Sequence, residues 1–236
     1  AAVASKERIL LADHDGMDVS LYVGIPFCPS RCAYCSFVSY DFHSYGTVLP
    51  AYVEALLQEM QRTAALLEGR RLQSFYMGGG TPTVLDAGSL DRILERADAL
   101  YSFSALREIT VEAGRPDTIT REKLRVLADH GVDRISINPQ TMNQKTLDAV
   151  GRRHSVEQVE VALETAREIG FDNINMDLIL GLPGETQEDV RRTMERIVRL
   201  KPDSLTIHTL AIKRASRLHE EEEAAADLLA QADRME

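Results

Sequence analysis

Cys28, Cys32 and Cys35 are the only cysteines of the chain. Their spacing, Cys-x3-Cys-x2-Cys, places three thiols on one short loop. An odd number so close together is a poor disulfide framework and fits a reduced chain with a clustered metal site better. Three thiolates can hold three irons of a [4Fe–4S] cluster; with no fourth cysteine, one iron must take a ligand from outside the protein. An iron left open in this way can chelate a small molecule and pass it an electron. Two blander readings also fit the bare residues. One is three buried small hydrophobes. The other is a Cys3His zinc site completed by His14 or His43, although zinc loops usually draw cysteine pairs from two separated places and here there is one group.

Other residues carry chemistry less specifically. Gly78-Gly79-Gly80 followed by Thr81-Pro82 lets backbone approach a ligand closely, and its carbonyls can accept from an ammonium. A phosphate loop is excluded by the lack of a Gly-Lys-Ser/Thr ending. Glu112 closes an apolar run, where a carboxylate can accept two hydroxyls; the bland alternative is an ion pair. Asp177 lies inside an apolar run, so its burial demands a partner. Arg152 can hold a ligand carboxylate or a neighbouring acid. Arg31, Lys213 and Arg214 are cations suited to carboxylates, or ordinary surface charges.

Six short β-rich runs must position these residues: Leu21–Phe27, Ser74–Met77, Glu108–Glu112, Arg134–Asn138, Asn173–Leu180 and Ser204–Thr209. Amphipathic stretches separate them, at Tyr52–Leu67, Leu90–Leu100, Arg121–Asp129, Ser155–Ile169 and Glu188–Leu200. Ser155 and Gln158 form a candidate capping box, and Pro50 suits a helix start. Strand-then-helix, repeated six times, predicts a parallel sheet with outer helices. Near-continuous apolar strands such as Ile174–Leu180 predict burial on both faces. Six units are too few for an eightfold barrel, leaving an open doubly wound sheet or an incomplete (β/α) barrel. Either gathers ligands beyond the C-terminal strand ends. Cys28, the glycine strip, Glu112, Gln140, Asp177 and His208 all fall there, which predicts one composite site.

Lys and Arg total 27 against 37 Asp and Glu, a net charge of −10. That balance argues against a general nucleic-acid binder, which needs a basic face. At 44% hydrophobic and 27% charged the chain belongs with globular proteins. No apolar run is long enough for a membrane span and no signal peptide is visible. The chain opens on Ala1-Ala2 without an initiator Met, as a fragment would. The acidic, alanine-rich stretch from His219 to Glu236 reads as a solvated helix.

The order of these motifs resembles the radical S-adenosylmethionine superfamily. Tyr22-Val23-Gly24-Ile25-Pro26-Phe27-Cys28, Phe75-Tyr76-Met77 before Gly-Gly-Gly-Thr-Pro, Ile174-Asn175-Met176-Asp177-Leu178 and Gly181-Leu182-Pro183 look like its oxygen-independent coproporphyrinogen III oxidase group. Val111-Glu112-Ala113-Gly114-Arg115-Pro116-Asp117 and Ser136-Ile137-Asn138-Pro139-Gln140-Thr141-Met142 are similar to the coproporphyrinogen dehydrogenase variant called HemZ. The resemblance implies a partial (β/α)6 barrel as radical SAM core over 21–217, a lead-in over 1–20, and a helical tail over 218–236 opening a C-terminal region. It implies Cys28, Cys32 and Cys35 as ligands of a [4Fe–4S] cluster. It implies Tyr22, Tyr34, Gly79, Gly80, Thr81, Glu112, Gln140, Arg152 and Asp177 as S-adenosyl-L-methionine contacts, with Tyr34 beside the adenine. In that family the cofactor is cleaved to a 5′-deoxyadenosyl radical that abstracts hydrogen. The implied activity is oxidative decarboxylation of coproporphyrinogen III propionates to vinyl groups, giving protoporphyrinogen IX. The implied partners are a tetrapyrrole substrate and a reduced flavodoxin or ferredoxin-type electron donor, in a cytoplasmic setting. One departure stands out. Well-characterised coproporphyrinogen oxidases carry a further cysteine two residues after the third, where this chain has Phe37. A related haem-chaperone branch also lacks it, so haem binding is the alternative reading, beside a radical enzyme acting on another tetrapyrrole.

Overall fold

Apolar and polar side chains alternate along the strands, and the two sets face opposite ways. Val23 and Ile25, Phe75 and Met77, Ile109 and Val111, Ile135, and Ile174, Met176 and Leu178 belong to the buried core. The intervening residues Tyr76, Glu112, Ser136, Asn175, Asp177 and Thr206 line an open cavity. A period of two puts one face of a sheet against helices and leaves the other to a lumen. The expectation of apolar strands buried on both faces is therefore corrected in its polarity: inner-face Ser136 and Asn175 are buried, but they are polar.

The computed structural model of the chain describes residues 17–220. His14, most of the lead-in and nearly all of the acidic tail lie outside the described residues. The strands are β1 (Asp18–Ile25), β2 (Phe27–Cys28), β3 (Tyr40–Asp41), β4 (Arg71–Gly79), β5 (Glu108–Glu112), β6 (Arg134–Ser136), β7 (Ile174–Leu180) and β8 (Ser204–Thr209). Six of them form one sheet in the order β1-β4-β5-β6-β7-β8, every neighbouring pair parallel. A doubly wound sheet would reverse direction at its middle. Here each strand adds on the same side of the last, so right-handed crossovers carry all the helices to one face. The result is a (β/α) barrel left open between β1 and β8. A second, two-residue ladder was not foreseen: Phe27 pairs with Tyr40 and Cys28 with Asp41. It clamps the two ends of the cysteine loop together.

The helices are α1 (Phe42–Tyr45), α2 (Leu49–Leu66), α3 (Ala87–Tyr101), α4 (Arg121–Asp129), α5 (Gln144–Ala149), α6 (Val156–Ile169) and α7 (Gln187–Leu200). Pro50 sits in the first turn of α2, where its missing N–H is harmless. Both arms of the Ser155–Gln158 capping box form at α6, and Gly170 ends that helix in the left-handed conformation. An unanticipated second capping box, Thr186 with Asp189, starts α7. The outer layer packs by apolar stripes. Leu90, Ile93 and Leu94 of α3 are fully buried, each contributing about 1.5–3 kcal/mol relative to exposure.

Behind the sheet's C-terminal rim lies a buried titratable group with no pairing. The His154 ring is completely inaccessible and neither nitrogen makes a hydrogen bond. Burial foremost, then the Arg152 charge, with Arg115 adding and Asp117 and the nearby Pro139 carbonyl opposing, hold its pKa down at about 3. In the unfolded chain an imidazole titrates near 6.5. Between these values the unfolded chain binds a proton that the folded chain refuses, so stability rises with pH across that window. Acidifying from about pH 6.5 should cost up to ~1.4 kcal/mol per unit. Thermal unfolding from about pH 4 to pH 7 checks it: the His154→Leu protein should show a flatter dependence of Tm on pH, and identical slopes would refute the assignment.

Candidate functional site

Each cysteine is set by a different part of the fold. Cys28 closes β2, and the Thr81 hydroxyl donates to its Sγ at 3.4 Å. Cys32 is buried, with Arg152 Nη1 3.9 Å and Arg115 Nη1 4.0 Å from its Sγ. Cys35 donates its backbone N–H to the Cys32 carbonyl at 3.1 Å. The loop is sewn to distant chain: Ala33 N–H to the Val150 carbonyl at 2.9 Å, Ser30 Oγ to the Gly151 carbonyl at 2.9 Å, and Leu218 N–H to the Ala33 carbonyl at 3.0 Å. All three thiols are free. Burial pushes the Cys28 and Cys35 thiols up, and the positive charge of a bound metal would favour their thiolate forms.

The glycine strip ends β4 and follows β1 closely. A Cβ on Gly78 would lie 2.7 Å from the Tyr76 ring and 2.8 Å from the Glu112 carboxylate. One on Gly80 would lie 2.6 Å from the Phe27 carbonyl oxygen. Gly79 has φ +106, a conformation that side chains resist. Glycine is thus a steric requirement here, and it leaves the strip's open side to a ligand.

Glu112 ends β5 with both oxygens engaged: Oε1 accepts from the Tyr76 hydroxyl at 2.6 Å and Oε2 from the Gly79 N–H at 3.2 Å. Burial raises its pKa, and the Asp177 charge adds to that, while these two hydrogen bonds oppose it. Asp177 does have the partner its burial demands: Asn175 Nδ2 donates to Oδ1 at 2.7 Å. Arg152 is not paired with an acid. Its Nη2 donates to the Asn138 and Gly114 carbonyls at 2.6 and 2.9 Å, and its Nη1 to the Tyr34 hydroxyl at 3.3 Å. Gln140 is held at φ +67 by bonds on both sides, its N–H to the Asp177 carbonyl and its own carbonyl accepting from Ile179, each 2.9 Å. A left-handed glutamine is a strained backbone of the kind found at functional sites. Tyr22 is largely exposed and stacks on Tyr76 with ring centres 5.9 Å apart.

One cavity of about 220 Å³ is lined by all of these: Cys28, Cys32, Cys35, Tyr22, Tyr34, Gly79, Gly80, Thr81, Glu112, Gln140, Arg152 and Asp177. It adjoins a larger cavity of about 650 Å³ inside the barrel, which shares Tyr34, Cys35, Phe37, Glu112, Gln140 and Asp177. Of the three rim cations, Lys213 lines this larger space. Arg31 is tied to the Ala215 carbonyl at 2.5 Å, and Arg214 is exposed away from both cavities. Arg134, Tyr76, Asn138 and Arg115 also line these cavities and were missed from sequence. For Tyr76 and Arg134 the signal was present: polar residues at every second position of an otherwise apolar strand.

The residues fit a cluster with a chelated sulfonium ligand. Three thiols open on the same small space as the glycine strip, and the buried Gln140 Oε1 has no hydrogen-bond partner of its own. Among the described residues no three His, Cys, Asp or Glu side chains converge on a single metal ion. His43 sits on α1 with its ring against Phe42, outside both cavities. A zinc ion would draw its ligands onto one point, whereas a cube of iron and sulfide takes one thiolate at each of three corners.

An open parallel barrel with this site at its strand ends is an α/β protein built around a cofactor rather than around a side-chain nucleophile. The Radical SAM superfamily model matches residues 22–197, and the chain belongs to that superfamily. Its cofactors are a [4Fe–4S] cluster and S-adenosyl-L-methionine. Within the superfamily the chain is 46% identical over 206 residues to the oxygen-independent coproporphyrinogen-III oxidase-like protein HemZ of Bacillus subtilis, covering 85% of this chain and 41% of that protein. It is 38% identical over 194 residues to the heme chaperone HemW of Lactococcus lactis, covering 82% of this chain and 49% of that one. The solved structure of coproporphyrinogen III oxidase (HemN) from Escherichia coli superposes with a TM-score of 0.73 at 30% identity, over 96% of this chain and 56% of the other. The chain spans half or less of the length of these curated relatives. Among the described residues no helix is long and apolar enough to cross a membrane.

Proposed function

We propose that the chain is the core, over 21–217, of a radical enzyme that oxidatively decarboxylates propionate side chains of coproporphyrinogen III. The observation carrying this is the pairing of the two cavities: a small one bearing every cofactor-type residue, opening into a larger one that contains Arg134 and Lys213. Each turnover removes one β-hydrogen atom, one carbon dioxide and one electron from a propionate and leaves a vinyl group. Two turnovers give protoporphyrinogen IX. When bound, the cluster and S-adenosyl-L-methionine supply the one-electron reductant and the hydrogen-abstracting radical.

The chain's own residues bind and orient. Cys28, Cys32 and Cys35 hold the cluster. The Gly79–Gly80 backbone and Thr81 offer close polar contact to the methionine end. Glu112, steadied by Tyr76, accepts from sugar hydroxyls, and Gln140 and Asp177 complete the polar wall. Tyr34 and Tyr22 give aromatic faces to the base. Arg152 holds the Gly114 and Asn138 carbonyls and so fixes the wall's back. Arg134 and Lys213 receive substrate carboxylates, which guanidinium binds in a two-pronged way. The electron that cleaves the cofactor would come from a flavodoxin- or ferredoxin-type donor; the abstracted hydrogen atom would end on 5′-deoxyadenosine, and the electron lost by the substrate would leave to a separate one-electron acceptor.

A second reading, haem binding and delivery, is favoured by Phe37 standing where the oxidases carry a further cysteine and by the likeness to a heme chaperone. The test is oxygen-free incubation of the complete protein with reductant, S-adenosyl-L-methionine and coproporphyrinogen III. Vinyl product with matching carbon dioxide is expected. Cofactor cleavage without either would overturn the substrate assignment, and a stoichiometric haem complex that passes haem to an acceptor would replace it with the second reading.

A further inference from the structure

Arg115 is a buried cation in the wall of the small cavity, and none of the residue roles assigned above accounts for it. It is 3% exposed, and burying a guanidinium is costly unless its donors are used. They are used asymmetrically. One edge of the fork faces Asp117, with Nε–Oδ1 and Nη2–Oδ2 both 3.1 Å. The other side faces the cysteine loop: Nη1 donates to the Ser30 carbonyl, Nη1 and Nη2 both donate to Ser30 Oγ, each at 3.2 Å, and Nη1 reaches Cys32 Sγ at 4.0 Å. The ion pair is therefore a dipole with its positive end at the loop. Cys32 stands apart from the other two thiols in this. Cys28 receives a neutral hydroxyl, whereas Cys32 receives two guanidiniums, from Arg115 and Arg152.

We propose that Arg115, aimed by Asp117, is a positioning residue that raises the reduction potential of the cluster at its Cys32 corner. The inference rests on the reading of the three cysteines as cluster ligands. Reduction adds one electron, and hence one negative charge, to the cluster. A fixed cation beside a ligand sulfur stabilises the reduced form more than the oxidised one, and net charge and hydrogen bonds to sulfur are established levers on such potentials. The low dielectric of a buried site preserves the effect. Asp117 works in the opposite sense: it orients Arg115 and partly cancels its charge.

The two residues therefore predict shifts of opposite sign, which disruption alone would not produce. The complete protein is reconstituted without oxygen and titrated with dithionite as the one-electron donor, reading the reduced cluster by electron paramagnetic resonance without S-adenosyl-L-methionine. Arg115→Met should make reduction about tenfold harder, a fall of about 59 mV for one electron. Asp117→Asn should make it easier, and Arg115→Lys should stay near the parent value. Where Arg115→Met takes up no cluster, Asp117→Asn and Arg115→Lys carry the same test. Shifts of the same sign in Arg115→Met and Asp117→Asn, or no shift in Asp117→Asn at full iron and sulfide content, would overturn the proposal. Failure of the parent protein to take up iron and sulfide would instead overturn the cluster reading beneath it.

Discussion

Cys32→Ala should yield a colourless protein after oxygen-free reconstitution, against about four irons and four sulfides per chain in the parent. Cofactor cleavage should fall below detection, because this sequence has no further cysteine to take the place of Cys32. Cys28→Ala and Cys35→Ala should lose the cluster too. What singles out Cys32 is its surroundings: it is buried, and both Arg115 and Arg152 point a nitrogen at its sulfur. Removing the sulfur leaves a small void and weakens the solvation of two buried cations. The apo form of Cys32→Ala should therefore melt below apo Cys28→Ala and apo Cys35→Ala, by on the order of 1 kcal/mol. Iron and sulfide analysis with thermal unfolding of all three variants decides it. A Cys32→Ala protein that keeps a full complement of iron and sulfide would refute the ligand assignment.

The sequence made the strands legible because apolar β-rich runs are short and bounded by loop residues. Glu108–Glu112 and Ser204–Thr209 agree with β5 and β8 at both ends. Helix starts announced themselves where a side chain caps, as Ser155 and Gln158 do. The candidate cofactor residues stood out because most sit at or just beyond strand ends, where glycine and polar residues break an apolar run, although Tyr22 and Asp177 lie within β1 and β7. The lumen was harder. Asn175 and Asp177 alternate with Ile174, Met176 and Leu178, but a run that is mostly apolar hides a polar face unless it is read with period two. That misreading concealed Tyr76 and Arg134. Arg115 was hidden for a different reason: its partner Ser30 is 85 residues away. The β2–β3 ladder was hidden because two-residue strands leave no periodicity to read. Periodicity alone left a doubly wound sheet and a barrel both open, since strand order is a property of long-range pairing; the family resemblance chose the partial (β/α)6 barrel, and the strand order agrees with it.

The glycine strip makes the sharpest steric demand on the site, and Gly80→Ala tests it. The added methyl would sit 2.6 Å from the Phe27 carbonyl oxygen and 2.9 Å from that of Ile25. Both are backbone atoms, so no rotamer change relieves the contact. Gly80 also donates its N–H to the Ile25 carbonyl at 2.8 Å, the bond that docks the end of β4 on β1. Relief requires β4 to move away from Pro26–Cys28, and that carries Thr81 away from Cys28 and opens the ligand-facing strip. Overpacking of this kind costs about 1–3 kcal/mol. In a chain of this size that lowers Tm by roughly 2–12 °C. Loss of geometry at the site should weaken S-adenosyl-L-methionine binding about tenfold or more, ~1.4 kcal/mol. Gly88→Ala is the control. Its nearest neighbour would be Asp86 Oδ1 at 3.5 Å, an ordinary contact in the first turn of α3, where alanine is the better helix former. Calorimetry and equilibrium dialysis on the two variants separate the cases. If Gly80→Ala melts with Gly88→Ala and binds the cofactor as the parent does, the strip is an incidental turn and the close approach of β4 to β1 does not shape the site.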